Sequence, residues 1–239
     1  MNMVLKTFLL MHYARNRNAM TPTYIKSLAA SNSRIRFINL PPSISFSPSQ
    51  EANKSIEKIV TEFIGCHKAS VKEVIVKHVV SSSDQGSLAR LVVDYFYTSM
   101  IDKGNELGVP SYLFFPSGAP YLGLLLHGLP EFLLNKYGGY TTLMNHGRRF
   151  KETNRIIVNT FEELESHAVK SLLKDFENVL PVYTVEPVID VKGRQSEKLD
   201  LDEIMKCLDD PPDSSVVFLC FGSWGSFGEE QVKEIALGL

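Results

Sequence analysis

The stretch Leu88–Leu126, LARLVVDYFYTSMIDKGNELGVPSYLFFPSGAPYLGLLL, decides the fold class, because it alternates strands with helices. It opens with a short apolar run, Leu91–Val93, as in a strand buried on both faces. Apolar residues then recur at helical spacing until Gly108, which suits the left-handed residue that ends many helices. A second apolar run, Tyr112–Phe115, follows, and residues 116–118 turn the chain into another apolar helix. This order predicts neighbouring parallel strands in an α/β fold.

Two polar residues follow these predicted strands. Asp94 ends the first strand, and Ser117 comes shortly after the second. Ligands of open α/β sheets bind beyond the carboxyl ends of the strands, so both side chains are expected at the ligand-binding edge. The pattern leaves two interpretations of Asp94 open. In the first, Asp94 caps the next helix or forms a salt bridge at the rim of the sheet. In the second, it is a functional carboxylate in a cleft.

The composition is that of a soluble globular protein. The 239 residues suffice for one or two domains, and 44% of them are hydrophobic and 22% charged. A net charge of −2, from 25 basic and 27 acidic residues, indicates neither a nucleic-acid nor a membrane partner. Three cysteines without C-x-x-C spacing favour a reducing compartment and no metal site. No apolar run is as long as a membrane span, and we expect a cytoplasmic protein.

Apolar periodicity and turn residues predict the remaining elements. The first strand is expected to be buried. One helix is expected to have Thr21 as its N-cap, and another to begin with a capping box of Thr160 and Glu163 and to bury Leu164. The predicted strands are Val4–Met11, Arg34–Leu40, Ile156–Asn159, Val182–Val185 and Val216–Phe221. Helices are predicted at 21–30, at 56–79, after 160 and at 229–239. Residues 130–150 are expected to have mixed structure around a pair of glycines.

Two histidines and a basic cluster are further candidates. His67 and His78 lie on the apolar face of the predicted helix, where either could act as a base. A buried, hydrogen-bonded structural histidine is the favoured interpretation of each. Arg148, Arg149 and Lys151 form a small basic cluster, which we interpret as a solvated face rather than a phosphate site.

A polar linker, residues 190–200, separates predicted domains 1–189 and 201–239. In the second domain, the strand Val216–Phe221 leads through the loop Gly222–Gly228, GSWGSFG, into a helix, which is the arrangement of a phosphate site. The loop has neither the Walker A nor the dinucleotide spacing, so a plain tight turn stays open. One strand and one helix cannot cover a parallel sheet, and we expect a fragment, truncated at both ends.

Six runs of residues carry a family resemblance over nearly the whole chain after Thr21. They are YIKSLAAS (Tyr24–Ser31), RIRFINLPP (Arg34–Pro42), LVVDYFYTSMID (Leu91–Asp102), ELGVPSYLFFPSGA (Glu106–Ala119), IIVNTFEELESHAV (Ile156–Val169) and VVFLCFGSWGSFGEEQVKEIALGL (Val216–Leu239). In these runs the chain resembles the plant UDP-sugar-dependent glycosyltransferases that act on small phenolic or terpenoid acceptors. The resemblance implies a GT-B fold, with a Rossmann-like parallel sheet and flanking helices in an N-terminal acceptor domain and the start of a second Rossmann-like domain.

The resemblance also implies a reaction and its residues. A histidine deprotonates the acceptor hydroxyl, an aspartate orients that histidine, and the sugar of the UDP-sugar is transferred with inversion. Asp94 matches the aspartate, and Pro116, Ser117 and Tyr121 fall on the acceptor side. The donor-loop positions are Ser223, Trp224 and Ser226. The UDP-sugar is a co-substrate, so the resemblance implies no cofactor or metal, and we expect a monomer.

The sequence departs from the family pattern at several places. The family's first strand and its histidine loop have no match, because Val4–Met11 resembles the second strand and His12 does not match the catalytic histidine. The W-A-P-Q and H-C-G-W-N-S motifs of the donor site are also unmatched. Pro116 stands where the family has Thr or Ser, and Trp224 where it has a smaller residue. The loss of the catalytic base lowers the reaction rate about 10²–10⁴-fold, so we expect the chain by itself to be inactive.

Three functions compete on this basis. The leading hypothesis is a glycosyltransferase by descent, which transfers glucose from a UDP-sugar to a hydroxyl of a small plant metabolite. The alternative is a non-catalytic small-molecule-binding module, or pseudoenzyme, that keeps the acceptor pocket. A hydrolase that uses Ser117 with Asp94 is disfavoured, because the G-x-S-x-G elbow is missing.

Overall fold

The computed structural model of the chain describes residues 6–11, 20–42, 53–80, 88–128, 138–176, 180–185, 188, 205–206, 208–209, 217 and 227–238. The chain divides into two compact units, Met1–Val188 and Ile189–Leu239. The predicted linker at 190–200 lies outside the described residues, and the predicted domain boundaries stay a prediction. Among the described helices, none combines the length and apolar character that crossing a bilayer requires.

The described elements alternate along the first unit. The strands are β1 (Lys6–Leu10), β2 (Ile35–Asn39), β3 (Leu91–Asp94), β4 (Ser111–Phe115), β5 (Arg155–Asn159) and β6 (Val182–Val185). The helices are α1 (Met20–Ser31), α2 (Ile56–Cys66), α3 (Lys68–Ile75), α4 (Ile101–Glu106), α5 (Ala119–His127), α6 (Gly139–Phe150), α7 (Ser166–Phe176) and, in the second unit, α8 (Glu229–Leu237). A π-helical turn, Val76–Val80, follows α3, and a 3₁₀-helix, Tyr95–Met100, precedes α4.

The described strands form two sheets, and every pairing within them is parallel. β1 pairs with β2, from Lys6 opposite Ile35 to Leu10 opposite Asn39. The second sheet has the order β3-β4-β5-β6. Parallel neighbours require crossover connections, which the intervening helices supply. The architecture confirms the predicted α/β class with a parallel sheet and flanking helices.

The central stretch folds as its sequence pattern predicts. β3 leads through the 3₁₀-helix and α4 to β4, and α5 follows. Gly108 adopts a positive φ of 66°, which permits the left-handed turn between α4 and β4. The side chains of Leu113 and Phe115 in β4 and of Ile101 in α4 are completely buried. Each such side chain stabilises the fold by roughly 1.5–3 kcal/mol, so this unit forms the centre of the hydrophobic core.

Two predictions near the start of the chain are wrong. β1 is not buried, since its residues are exposed or half-exposed and Phe8 keeps 47% of its accessible area. Among the described strands it pairs with β2 alone, in a two-stranded sheet, and its side chains lack the cover that the strands of a central sheet receive. Thr21 is not an N-cap, because α1 begins at Met20 and places Thr21 inside the first turn.

The long helix predicted at 56–79 is divided at His67. The backbone N–H of His67 donates to the carbonyls of Ile64 and Gly65, which ends α2, and α3 begins at Lys68. The apolar period continues across this break because both helices cover the same core. Periodicity alone therefore did not reveal the break.

Two further predictions are wrong in the second half of the first unit. Thr160 and Glu163 do not form a capping box, because α7 begins only at Ser166 and Thr160 forms an isolated bridge with Val185. Leu164 is 64% exposed rather than buried. Within the segment expected to be mixed, residues 139–150 form the regular helix α6, which follows the left-handed Gly138. The apolar side of α6 packs on the core, and this tertiary contact outweighs its weak helix propensity.

Predictions for the second unit are tested only in part. The helix expected at 229–239 is present as α8, and the Gln231 side chain accepts a hydrogen bond from the Gly228 N–H at 3.1 Å. The predicted strand Val216–Phe221, apart from Val217, and the loop residues 222–226 lie outside the described residues.

Candidate functional site

The carboxyl ends of the four-stranded sheet bring the predicted acceptor-side residues to one edge. Asp94 is the last residue of β3 and lies opposite Phe114 of β4. Pro116 and Ser117 follow β4 directly and are exposed, and Tyr121 lies in the first turn of α5. The strand register places Asp94 beside the end of β4, so these four residues share the sheet edge at which ligands of this architecture bind.

Asp94 is a half-buried carboxylate close to the first N–H groups of the 3₁₀-helix. It stands at the N-cap position of the 3₁₀-helix, yet its side chain makes no capping hydrogen bond to that helix. Burial raises the pKa of Asp94 above its ordinary value, and the nearby N–H groups of Phe96 and Tyr95 oppose that rise. The cap and the functional carboxylate both stay open as interpretations of Asp94. A poorly solvated carboxylate at this edge is suited to pairing with a cationic group.

Tyr121 is held in place by an aromatic cluster. Its hydroxyl lies 3.2 Å from the hydroxyl of Tyr95, whose ring packs edge-on against Phe115 at 5.5 Å. Burial raises the pKa of Tyr95 far above its ordinary value, so its phenol is neutral. The first turn of α5 is thereby fixed to the core, and the position of Tyr121 at the sheet edge is defined.

The loop between β4 and α5 is anchored by two residues that the sequence did not single out. Asn159, the last residue of β5, donates from Nδ2 to the Pro116 carbonyl at 3.0 Å and accepts from the Val188 N–H at 2.8 Å. Glu165 accepts a hydrogen bond from the Ala119 N–H at 2.7 Å. Asn159 could have been found as Asp94 was, as a polar residue that ends a buried strand. Glu165 carries no such signal, because only the fold brings its loop beside α5.

The two histidines proposed as possible bases are buried or half-buried in the helical part of the structure. His67 is buried, and its Nδ1 lies 3.0 Å from the Phe63 carbonyl, to which it donates. This agrees with the favoured structural interpretation. His78 is half-buried in the π-helical turn, where its carbonyl accepts a hydrogen bond from Arg36 at 2.8 Å. Neither histidine lies on the carboxyl edge of the four-stranded sheet.

Within the basic cluster, Arg149 forms ion pairs on the helical face. Arg149 pairs with Asp102 of α4 and, at 2.9 Å, with Glu152. The hydrogen bond from Arg149, with a second from Lys68, lowers the pKa of Asp102 to about 2. Because these charges compensate one another, the cluster matches a solvated face better than a phosphate site.

A buried histidine that sequence reasoning missed connects three helices. His146 of α6 lies with Nε2 2.8 Å from the Thr61 hydroxyl and with Nδ1 2.7 Å from the Thr98 hydroxyl. The Thr61 hydroxyl donates to the Glu57 carbonyl at 2.7 Å, so it must accept from Nε2–H. In the neutral ring that burial favours, Nδ1 then accepts from the Thr98 hydroxyl. Burial lowers the pKa of His146 to about 4.

Other features lie away from this edge. An open cavity of about 600 Å³ lies between α3 and α4 near Lys72 and Glu106, on the side where β4 begins. Among the described residues, no cluster of His, Cys, Asp or Glu is arranged to hold a metal ion. The predicted donor residues Ser223, Trp224 and Ser226 lie outside the described residues, and their role stays a prediction.

Comparisons with known proteins identify relatives of the chain. No protein-family model matches it. It is 44% identical over 255 residues to UDP-glycosyltransferase 71K1 of Malus domestica, with 91% of this chain and 53% of that protein covered. The structure of Medicago truncatula UGT71G1 complexed with UDP-glucose matches with a TM-score of 0.81 and 36% identity, over 98% of this chain and 57% of that one.

A second solved relative carries both kinds of ligand. Phytolacca americana UGT2, complexed with UDP-2fluoro-glucose and pterostilbene, matches with a TM-score of 0.72 and 27% identity, over 97% of this chain and 56% of that one. The chain thus spans about half the length of these relatives. By sequence and by its parallel α/β architecture, the chain is a homologue of the plant UDP-glycosyltransferases, which have the GT-B fold.

Proposed function

We propose that the chain serves the transfer of glucose from a UDP-sugar to a hydroxyl group of a small plant metabolite, with inversion at the anomeric carbon. The observation that carries this proposal is Asp94, a half-buried carboxylate at the ligand-binding edge of the sheet, beside the end of β4. The ligands of the two solved relatives, a UDP-sugar in both and pterostilbene in one, support the choice of donor and acceptor class.

In the proposed reaction, Asp94 accepts a hydrogen bond from a catalytic histidine. This contact selects the tautomer that can take the acceptor proton and stabilises the imidazolium that results. Partial burial strengthens the effect, since the attraction between opposite charges rises as the local dielectric constant falls. By the family resemblance, that histidine has no match in this chain. We therefore propose that these 239 residues bind the acceptor without turning it over.

The remaining residues position the two substrates. Pro116, Ser117 and Tyr121 line the acceptor side of the proposed site. The donor-loop residues Ser223, Trp224 and Ser226 bind the UDP-sugar, with the two serines at its phosphates. The UDP-sugar acts as a co-substrate without a metal or cofactor. We propose further that the protein works as a cytoplasmic monomer. The alternative function is a binding module that keeps the acceptor site and catalyses nothing.

Titration calorimetry of the 239-residue chain tests the binding part of this proposal. We expect binding of pterostilbene or of the flavonol quercetin. UDP-glucose is expected to bind more weakly than about 10 μM, roughly −7 kcal/mol, because the donor motifs are unmatched. If neither phenol binds, the acceptor role is wrong. UDP-glucose binding tighter than about 10 μM would contradict the account of the donor side.

A chimera separates the transferase from the binding module. Residues 88–188 would replace the corresponding segment of the Malus relative, which is expected to restore the base and the donor site. A folded chimera that transfers glucose to a phenol supports the transferase. A folded chimera that binds the phenol but does not glucosylate it supports the binding module.

A further inference from the structure

The loop Pro116–Gly118 lines the proposed acceptor site, yet nothing within the loop fixes it. Its residues are exposed or half-exposed. The conformation depends on partners from the next crossover of the sheet, in particular on the hydrogen bond between Glu165 and the Ala119 N–H at 2.7 Å. This N–H is one of the donors at the start of α5 that no helical carbonyl can satisfy.

The Glu165 carboxylate also packs against the loop itself. A Cβ atom added to Gly118 would lie 2.3 Å from Glu165 Oε1 and 2.9 Å from Oε2. The φ and ψ of Gly118 are −70° and 168°, an extended conformation that any residue adopts. The glycine is therefore needed for the close approach of Glu165 and not for its own backbone conformation.

The backbone of Glu165 belongs to the start of α7, since its carbonyl accepts from the Val169 N–H at 2.9 Å, whereas its side chain binds a distant N–H. Glu165 directly precedes the first residue of α7 and lies 46 positions along the chain from the N–H that it binds. Its neighbours Glu162 and Glu163 are exposed, and Glu162 faces Lys170 at 3.8 Å. Among the residues that the structure describes, Glu165 is the one of these three glutamates that connects the segment between β5 and α7 with the loop Pro116–Gly118.

We propose that Glu165 is a positioning residue for the acceptor: its carboxylate holds Gly118 and Ala119, and through them Ser117 and Tyr121, in the geometry that receives the acceptor. This rests on the proposed function, because it concerns the acceptor side of that site. The role is geometric. A side chain with an uncharged acceptor oxygen at the same place therefore fulfils this role. If Glu165 acted only through its negative charge at the helix N-terminus, an uncharged replacement would lose the effect.

The test measures pterostilbene binding by calorimetry in the 239-residue chain and its variants. Glu165→Ala is expected to weaken binding about tenfold, the equivalent of roughly 1.4 kcal/mol. Glu165→Gln keeps an oxygen of the same reach and is expected to bind within about twofold of the wild type. Glu163→Gln is the matched control on the same loop and should leave binding unchanged.

Gly118→Ala supplies the same displacement by another route. Its methyl group displaces the carboxylate, so binding should weaken as in Glu165→Ala, and the double variant should be no weaker than Glu165→Ala alone. This non-additivity is the signature of a shared contact. Hydrogen exchange at the Ala119 amide reports the contact directly, and should accelerate in Glu165→Ala but not in Glu165→Gln.

The outcomes separate the inference from the proposed function. If Glu165→Ala binds pterostilbene as the wild type does while the Ala119 amide exchanges faster, Glu165 is only a helix cap and the inference is wrong. Equal weakening in Glu165→Gln and Glu165→Ala would assign the effect to charge and also overturn it. If the wild type binds neither pterostilbene nor quercetin, the proposed function fails and the inference fails with it.

Discussion

The Nδ1 atom of His146 lies 2.7 Å from the hydroxyl oxygen of Thr98, and this buried contact joins α6 to the 3₁₀-helix that follows Asp94. The opposite ring nitrogen donates to Thr61 of α2. The imidazole ring also packs edge-on against Phe96 at 5.6 Å. A neutral histidine thus joins three helices, one of which directly follows Asp94, and its protonation would place a charge in a buried site.

The stability of the chain should fall in mild acid because of His146. Its pKa is about 4 in the folded state, against an ordinary 6.5, with burial as the main cause and Arg149 adding to it. Between these values the unfolded chain binds a proton that the folded chain does not, so stability rises with pH and is lost as pH falls from about 6.5 to about 4. The difference corresponds to roughly 3 kcal/mol.

Urea unfolding between pH 4 and pH 7.5 measures this dependence. His146→Gln should lower the stability at pH 7 and flatten the dependence, and His167→Gln, an exposed histidine of α7, should leave it intact. The Asp102 carboxylate loses its contribution only below its ordinary pKa of 3.8, toward about 2, so it does not overlap with this window. A slope that persists in His146→Gln would assign the effect to another group.

Asp94→Asn should abolish most of the activity of the chimera described above. The variant keeps the shape of the side chain but removes the charge that stabilises the imidazolium. We expect kcat to fall at least about 100-fold, or about 2.7 kcal/mol of barrier, with Tm nearly unchanged. Asp175→Asn, on the exposed side of α7, is the control. Near-normal turnover in Asp94→Asn would show that Asp94 does not orient the base.

Gly147→Ala should destabilise the packing of α6 on α5. A Cβ atom at Gly147 would lie 2.4 Å from the Leu125 carbonyl oxygen, and a backbone atom cannot move aside as a side chain can. We expect a loss of about 1–3 kcal/mol in the free energy of unfolding, measured by urea titration.

Gly123→Ala is the matched control within α5. Its added methyl group would lie 3.8 Å from Leu172, an ordinary contact, so the variant should gain roughly 0.5–1 kcal/mol from helix propensity. If Gly147→Ala is as stable as the wild type, the two helices are farther apart than the structure shows.

Truncation after Val188 should improve solubility. In the second unit, Val217, Val232 and Leu237 are exposed, and α8 has no buried residue. Exposed apolar side chains favour association. We expect residues 1–188 to remain monomeric at higher concentrations than the whole chain in light scattering. If the shortened chain is produced less well, residues 189–239 stabilise the first unit and the domain boundary is wrong.

The sequence by itself determined the α/β class, the central strand–helix–strand–helix unit and the place of Asp94. These follow from local features: apolar runs of strand length, a glycine that ends a helix, and a polar residue directly after a buried strand. Such patterns act over a few residues and need no knowledge of the rest of the chain. Ser117 was placed at the edge for the same reason, whereas Tyr121 was named only through the family resemblance.

Only the tertiary structure decided which distant residues support that edge. Glu165 reaches Ala119 across 46 positions, and His146 reaches Thr61 across 85, and no local pattern marks such partners. The break at His67 and the exposure of β1 also depend on what packs against each segment. Local sequence sets the conformation of each segment, whereas hydrogen bonds between segments form only when the sheet order brings their loops together.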